Sequence, residues 1–117
     1  MGLALGLIRA LAWEPGYRAT LIQSFHDKGT ADLFNGNLTR LARKLLPVQL
    51  WIVARRRLEQ LDSAGALGDL RVPPGNRLEA LQAARRGQHS IRINDQFRIC
   101  FEWTENGPAD VEITDYH

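Results

Sequence analysis

The chain has 117 residues, of which 44% are hydrophobic and 24% are charged, and its formal net charge is +2. These values fit one globular domain with a single core and exclude a disordered chain, which would be poorer in hydrophobic residues. The single cysteine, Cys100, excludes an internal disulfide and fits a reducing compartment. The three histidines are too scattered for a preformed metal site, so we expect no metal and no cofactor.

The first twenty residues differ in character from the rest. The segment MGLALGLIRALAW at 1–13 is apolar, but Arg9 interrupts it and it is too short to span a bilayer. No basic side chain precedes the apolar run, as a secretory signal would require. We interpret 1–20 as an atypical extension, or an overlong reading frame whose true start lies near Leu21. We expect a single domain over 21–117, in the cytoplasm and with no membrane association.

Two helices are predicted after a short strand at 21–25. The first runs from Lys28 to Asn35, with Thr30 as a candidate cap and Gly36 as its stop. The second begins near Pro47, a residue that the first turn of a helix tolerates. Its buried stripe consists of residues spaced three and four apart: Trp51, Ala54, Leu58 and Leu61.

The remainder of the chain is predicted to form an antiparallel meander. Its four strands lie at about 76–82, 88–93, 97–103 and 109–116. A three-residue turn at 94–96 pairs Ile91 with Ile99 and keeps both on the core face.

The last predicted hairpin follows the same logic. Pairing Phe101 with Val111 leaves Thr104–Pro108 as the loop and sets Arg98 opposite Thr114. The predicted fold class is therefore α+β, with a two-helix hairpin packed on one face of an antiparallel sheet of four to five strands.

Polar side chains collect on the other face of this predicted sheet, next to the last residue, His117. They are Arg77, Glu79, Ser90, Arg92, Arg98 and Tyr116. Such a set could cleave RNA without a metal, since the 2′-hydroxyl can attack the adjacent phosphate if a base, a fixed cation and an acid are present. His117 titrates near neutral pH, and Arg92 and Arg98 supply fixed charge. From the residues alone, a solvated sheet face is the more common explanation of such a pattern.

Four segments carry a resemblance to a known family. They are LIQSF at 21–25, DLRVPPGNRLEAL at 69–81, GQHSIRINDQFRICFEW at 87–103 and VEITDYH at 111–117. In this order they resemble the HigB branch of the RelE/ParE toxins. The resemblance covers about 21–117 and implies a helical hairpin on an antiparallel sheet.

The resemblance also implies an activity and a set of site residues. Toxins of this family enter the ribosomal A site and cut the bound messenger RNA, and a HigA-like helix-turn-helix antitoxin neutralises them. Arg98 matches the family's phosphate-stabilising arginine, and Asp115, Tyr116 and His117 match its C-terminal catalytic trio. The cations expected to bind RNA phosphates are Arg77, Arg92, Arg85 and Arg86.

The chain departs from the family pattern at three positions. Glu79 and Gln82 stand where some HigB toxins have His and Lys, and His89 stands where an aromatic residue is usual. Because of these departures, one alternative hypothesis is that the chain is a catalytically silent relative of the family. A ParE-like inhibitor of DNA gyrase is the other alternative, although such proteins lack the terminal His117.

Overall fold

A computed structural model describes residues 21–115 and shows helices packed against a four-stranded antiparallel sheet. The helices are α1 (Lys28–Asn35), α2 (Arg40–Leu45) and α3 (Trp51–Ser63). The strands are β1 (Glu79–Ala80), β2 (Gln88–Arg92), β3 (Phe97–Thr104) and β4 (Gly107–Asp115). They lie side by side in chain order, each antiparallel to the next. The predicted class and arrangement are confirmed, with α2 as an additional short helix.

Helix α1 has the predicted bounds but a different cap. The carboxylate of Asp27 accepts a hydrogen bond from the Thr30 backbone N–H at 2.7 Å, which satisfies one of the free donors of the first turn. Gly36, with φ of 78°, ends the helix as predicted. Thr30, the predicted cap, is buried instead, and its hydroxyl accepts from the Ile113 N–H at 3.2 Å. This contact joins α1 to β4.

The core lies between α3 and the inner face of the sheet. All four residues of the predicted stripe on α3 are buried. They belong to one cluster with the inward residues of the sheet, among them Ile91, Ile99, Phe101, Val111 and Ile113. Burying each such side chain contributes about 1.5–3 kcal/mol before entropy is counted, which makes this cluster the main source of stability.

The hairpin between β2 and β3 has the predicted register. Ile91 lies opposite Ile99, and Arg92 lies opposite Arg98. The side chain of Asn94 supports the turn by accepting from the backbone N–H of Phe97 at 2.7 Å. The outward position of Arg98 follows directly from this register.

The hairpin between β3 and β4 corrects the prediction. Ile99 lies opposite Ile113 as predicted, but the turn is formed by 105–106 alone, because Thr104 pairs with Gly107. The pairing next to the turn is shifted by one residue relative to the pairing at Ile99. A β-bulge between Cys100 and Glu102 accommodates this shift. The opposing strand there contains Asp110 at φ of 52°. The predicted loop Thr104–Pro108 is therefore wrong, and the predicted Phe101–Val111 pair falls at the bulge.

The first strand of the sheet is much shorter than predicted. A 3-10 turn occupies Pro74–Asn76 and Arg77 has φ of 47°, so extended pairing begins only at Glu79. Ala80, the last residue of this strand, is exposed. The strand ends there because a second 3-10 turn follows at Ala83–Arg85.

The segment at 21–26 lies beside β4 without forming a regular strand. Gln23 N–H donates to the Pro108 carbonyl at 2.8 Å, and Val111 N–H donates to the Ser24 carbonyl at 3.1 Å. The contact amounts to one parallel bridge, between Phe25 and Val111, so the predicted strand at 21–25 is reduced to that bridge. Within 21–115, no helix is long and apolar enough to cross a membrane.

Candidate functional site

Arg98 occupies the centre of the outer face of the sheet, and its side chain is held at several atoms. Only 7% of the residue is exposed. Its Nε donates to Ser90 Oγ at 2.8 Å, and its Nη2 donates to the Arg77 carbonyl oxygen at 2.7 Å. The same Nη2 lies 3.1 Å from Glu79 Oε1. The guanidinium is therefore fixed in orientation before any ligand arrives.

The sheet register explains why these partners meet. Glu79 lies opposite Ser90 on β2, and Arg98 is the diagonal neighbour of Ser90 on β3. Alternation along each strand sends all three side chains to the outer face. Burying a charge is costly unless it is paired and hydrogen-bonded, and this site provides both. The Glu79 side chain is 50% exposed, so the site opens to solvent on that side.

Asn76 anchors the loop that supplies the Arg77 carbonyl. It is fully buried, and its Nδ2 lies 3.1 Å from the Leu70 carbonyl and 2.9 Å from Gln60 Oε1 on α3. The next residue, Arg77, has an exposed side chain. Arg77 was predicted to present its guanidinium to the site, whereas the contact with Arg98 comes from its backbone oxygen.

The other cations predicted to bind RNA lie around Arg98, and two of them are paired with acids. Arg92 forms an ion pair with Asp95 in the turn. Arg85 Nη1 lies 3.0 Å from Glu112 Oε1. Arg86 is exposed and directly follows the 3-10 turn before β2.

His26 forms a second polar group with two acids of β4, Asp110 and Glu112. His26 Nδ1 lies 3.1 Å from Asp110 Oδ1, and His26 Nε2 lies 3.8 Å from Glu112 Oε2. The hydrogen bond to Asp110, followed by the negative charge of Glu112, raises the pKa of His26 above its ordinary value. Sequence reasoning missed this group because its members are far apart in the chain.

Two residues near the site have no direct role in its chemistry. Cys100 is fully buried, and burial raises the pKa of its thiol, so that it stays neutral. His89 stands where an aromatic residue is usual in the family. Its ring stacks on the core residue Phe101 at 6.3 Å between centroids, which places it on the opposite face of the sheet from Arg98.

The last described residues lead away from Arg98 along β4. Thr114 lies directly opposite Arg98, as predicted. Asp115 is exposed, and its Oδ2 accepts from Gln96 Nε2 at 2.8 Å. Tyr116 and His117, the other two members of the predicted catalytic trio, lie outside the described residues.

The sequence of the chain is similar to that of known toxins. A family model for the RelE-like toxin HigB of type II toxin–antitoxin systems matches residues 23–117. Toxin HigB-1 of Vibrio cholerae is 45% identical over 62 residues, which is 53% of this chain and 65% of the relative. An uncharacterized protein of Haemophilus influenzae is 34% identical over 61 residues, or 52% of this chain and 60% of that protein. The match thus spans less than two thirds of either relative.

A solved structure shares the fold at low sequence identity. A chain of the YoeB–YefM complex from Staphylococcus aureus superposes with a TM-score of 0.52. The similarity covers 82% of this chain and 97% of that one, at 17% identity. At that identity the likeness concerns the fold alone.

Proposed function

Because the chain belongs to the family of RelE-like HigB toxins of type II toxin–antitoxin systems, we propose that it is a ribosome-dependent endoribonuclease. Its substrate is messenger RNA in the ribosomal A site, and the cleavage needs no metal. The observation that carries this proposal is Arg98, a buried guanidinium on the outer face that is held by Ser90 and the Arg77 carbonyl and opens to solvent beside Glu79.

The proposed reaction is an attack by the RNA on itself. The 2′-oxygen forms a bond to the adjacent phosphorus while the bond from phosphorus to the 5′-oxygen breaks, leaving a 2′,3′-cyclic phosphate and a 5′-hydroxyl. Arg98 stabilises the negative charge that grows on the phosphate. A fixed donor suits this role because no reorganisation is needed during the reaction.

Two proton transfers complete the reaction. The carboxylate of Glu79 accepts the proton of the 2′-hydroxyl, since it is half exposed and already lies 3.1 Å from the phosphate-binding arginine. His117 donates a proton to the departing 5′-oxygen, and Tyr116 orients the phosphate. Asp115 helps to hold the C-terminal segment. The sequence placed Glu79 on this face and marked it as a departure from the family, but assigned it no catalytic role.

The proposed partner is a HigA-like helix-turn-helix antitoxin in the cytoplasm. The fold neighbour is part of a toxin–antitoxin complex, which supports an antitoxin of some kind. The low net charge of +2 gives little nonspecific attraction to RNA, which fits an enzyme whose substrate is presented by the ribosome.

The test is inducible expression of the full chain beside Arg98→Ala/His117→Ala, with the 5′ ends of cellular messages mapped by primer extension. We expect growth arrest with new cuts inside translated codons, absent from the double variant. The single variant Arg98→Lys, which keeps the charge but loses the two-sided contacts, should cut at an intermediate rate.

Other outcomes distinguish the alternatives. Arrest without cuts would overturn the proposal and favour gyrase or another target. No arrest from a folded wild-type chain would identify a silent relative, and Gln82→Lys would then be the first change to make.

A further inference from the structure

The short helix α2 presents three cations that have no acidic partner in the described structure. Arg40, Arg43 and Lys44 are exposed, and their spacing of three and four residues places them on one side of the helix. The buried residue Ala42 lies on the opposite side. Three like charges on six residues repel one another, although Arg43 and Lys44 lie in the last turn, where the helix dipole favours cations.

The cations of the outer face are in a different situation. Arg98, Arg92 and Arg85 each lie within ion-pair distance of a carboxylate. A ligand phosphate at any of them must compete with that carboxylate. The positive charge of α2 is available without such competition.

A cleft connects α2 with the strand that lies beside Arg98. It has a volume of about 600 Å³, a size that accommodates a nucleotide-sized group, and it runs between α2 and the edge of β4. Arg43 and Lys44 line one side of it, and Thr114 and Asp115 line the other. Thr114 is the residue opposite Arg98 in the sheet, so the cleft begins next to the proposed cleavage site.

The acids in this cleft have partners of their own. Glu112 is paired with Arg85, and Asp115 accepts from Gln96. Among the described residues, the unpaired cations of the cleft are therefore Arg43 and Lys44, and they outnumber the one carboxylate without a cationic partner, that of Asp115. The ligand class that fits such a surface is a polyanion with regularly spaced charges.

We propose that the α2 cleft, defined by Arg43, Lys44, Thr114 and Asp115, binds the phosphodiester backbone of RNA outside the scissile phosphate. This proposal rests on the proposed function and adds a second binding site to it. The RNA is either the message or ribosomal RNA of the A site. In both cases the cleft positions the chain, and Arg98 acts on the reacting phosphate.

The experiment measures binding of the full chain to ribosomes by co-sedimentation across a range of salt concentrations. Ribosomes are used vacant, and also loaded with a message whose A-site codon is 2′-deoxy and therefore cannot be cut. The test variant is Arg43→Gln/Lys44→Gln. The matched control is Arg56→Gln/Arg71→Gln, which removes two exposed cations that lie outside the cleft.

We expect the test variant to bind at least tenfold more weakly than wild type near physiological salt. The slope of log affinity against log salt should fall by roughly 1.4, the value for two lost single-strand phosphate contacts. The control should bind like wild type, and thermal melting should show that both variants are folded. Weakening with vacant and loaded ribosomes alike would identify ribosomal RNA, and weakening with loaded ribosomes only would identify the message.

Several results would overturn the inference. Wild-type binding by the test variant, or equal weakening in the control, would mean that the cleft has no specific role. Loss of antitoxin capture with unchanged ribosome binding would assign the cleft to an acidic protein partner. Failure of the wild-type chain itself to bind or cut would overturn the proposed function, a result distinct from failure of the test variant alone.

Discussion

The charge of Arg98 is largely shielded from solvent, because its guanidinium is surrounded by protein groups. Ser90 and the Arg77 carbonyl occupy two of its donors, and the Glu79 carboxylate neutralises it on the open side. A phosphate entering from solvent would meet the carboxylate first. Glu79, which pairs with Arg98 in the free protein, is thus also the residue best placed to accept a proton from the substrate.

The variant Glu79→Gln tests whether Glu79 acts as the base as well as pairing with Arg98. It removes the charge and keeps the shape, so we expect the single-turnover rate of message cleavage on ribosomes to fall 10²- to 10⁴-fold, the usual range for loss of general-base catalysis. Binding of an uncleavable 2′-deoxy message complex should be unchanged or tighter. A faster cleavage rate would show that Glu79 only competes with the phosphate for Arg98.

His26 gives a prediction for stability. Its pKa is raised by Asp110 first and by Glu112 next, with a smaller contribution from Asp27. A raised pKa means that the folded state holds the proton more tightly, so this stabilisation is complete below the unfolded pKa of about 6.5. It is lost as the pH rises through the higher folded value. The effect is modest because half of the side chain is exposed.

The measurement compares urea unfolding of wild type and His26→Gln at several pH values. The advantage of wild type over His26→Gln should be largest at acidic pH and should shrink as the pH rises through neutrality. An advantage that is constant with pH would mean that the contact acts through packing and not through charge.

At the scale of elements, the parts that could be predicted are those that repeat a simple pattern. The helix bounds of α1, the buried stripe of α3 and the register of the first hairpin follow from apolar spacing, because only one register buries both Ile91 and Ile99. Helix α2 escaped prediction because six residues, three of them charged, are too few to show an apolar periodicity.

The features that could not be predicted depend on backbone conformations that the side-chain pattern does not reveal. The bulge opposite Phe101 and the left-handed conformation of Arg77 both occur at non-glycine residues. The outer-face location of Arg98 follows from alternation, but its burial does not. That burial requires Ser90, Glu79 and the Arg77 carbonyl to converge from different elements.

The loop before β1 gives a prediction at this scale. Asn76→Ala removes the side-chain contacts that hold the loop to α3 and to the Leu70 carbonyl, and we expect a loss of about 1–3 kcal/mol in stability. Cleavage measured well below the melting temperature should also fall, because the Arg77 carbonyl no longer orients Arg98. Gln60→Ala removes the contacts of Gln60 with Asn76 and the Val72 carbonyl but keeps that of Asn76 with the Leu70 carbonyl, so as the control it should affect cleavage less. Unchanged cleavage by folded Asn76→Ala would show that the loop serves stability alone.

In the molecule as a whole, the two faces of the sheet have separate tasks. The inner face and α3 form the core, while the outer face holds Arg98 and its partners on the strands themselves. Rigid strands position reactive groups more accurately than loops do. The charges that remain free lie on the surface, for example along α2, where salt screens them.

The segment at 23–26 also covers part of the outer edge of the sheet, at β4. Its backbone occupies the outward N–H and carbonyl of Val111, and Thr30 occupies the N–H of Ile113. The opposite margin, β1, is two residues long. Neither margin offers a long row of free backbone groups to a neighbouring molecule, which is how natural sheets avoid aggregation.

Deletion of 1–26 should therefore increase self-association through β4 relative to the full chain, whereas deletion of 1–20 should not. Light scattering against protein concentration would distinguish the two, and equal behaviour would show that the segment is dispensable. On this argument the six residues at 21–26, which include none of the proposed catalytic groups, keep copies of the chain apart by covering the edge of β4.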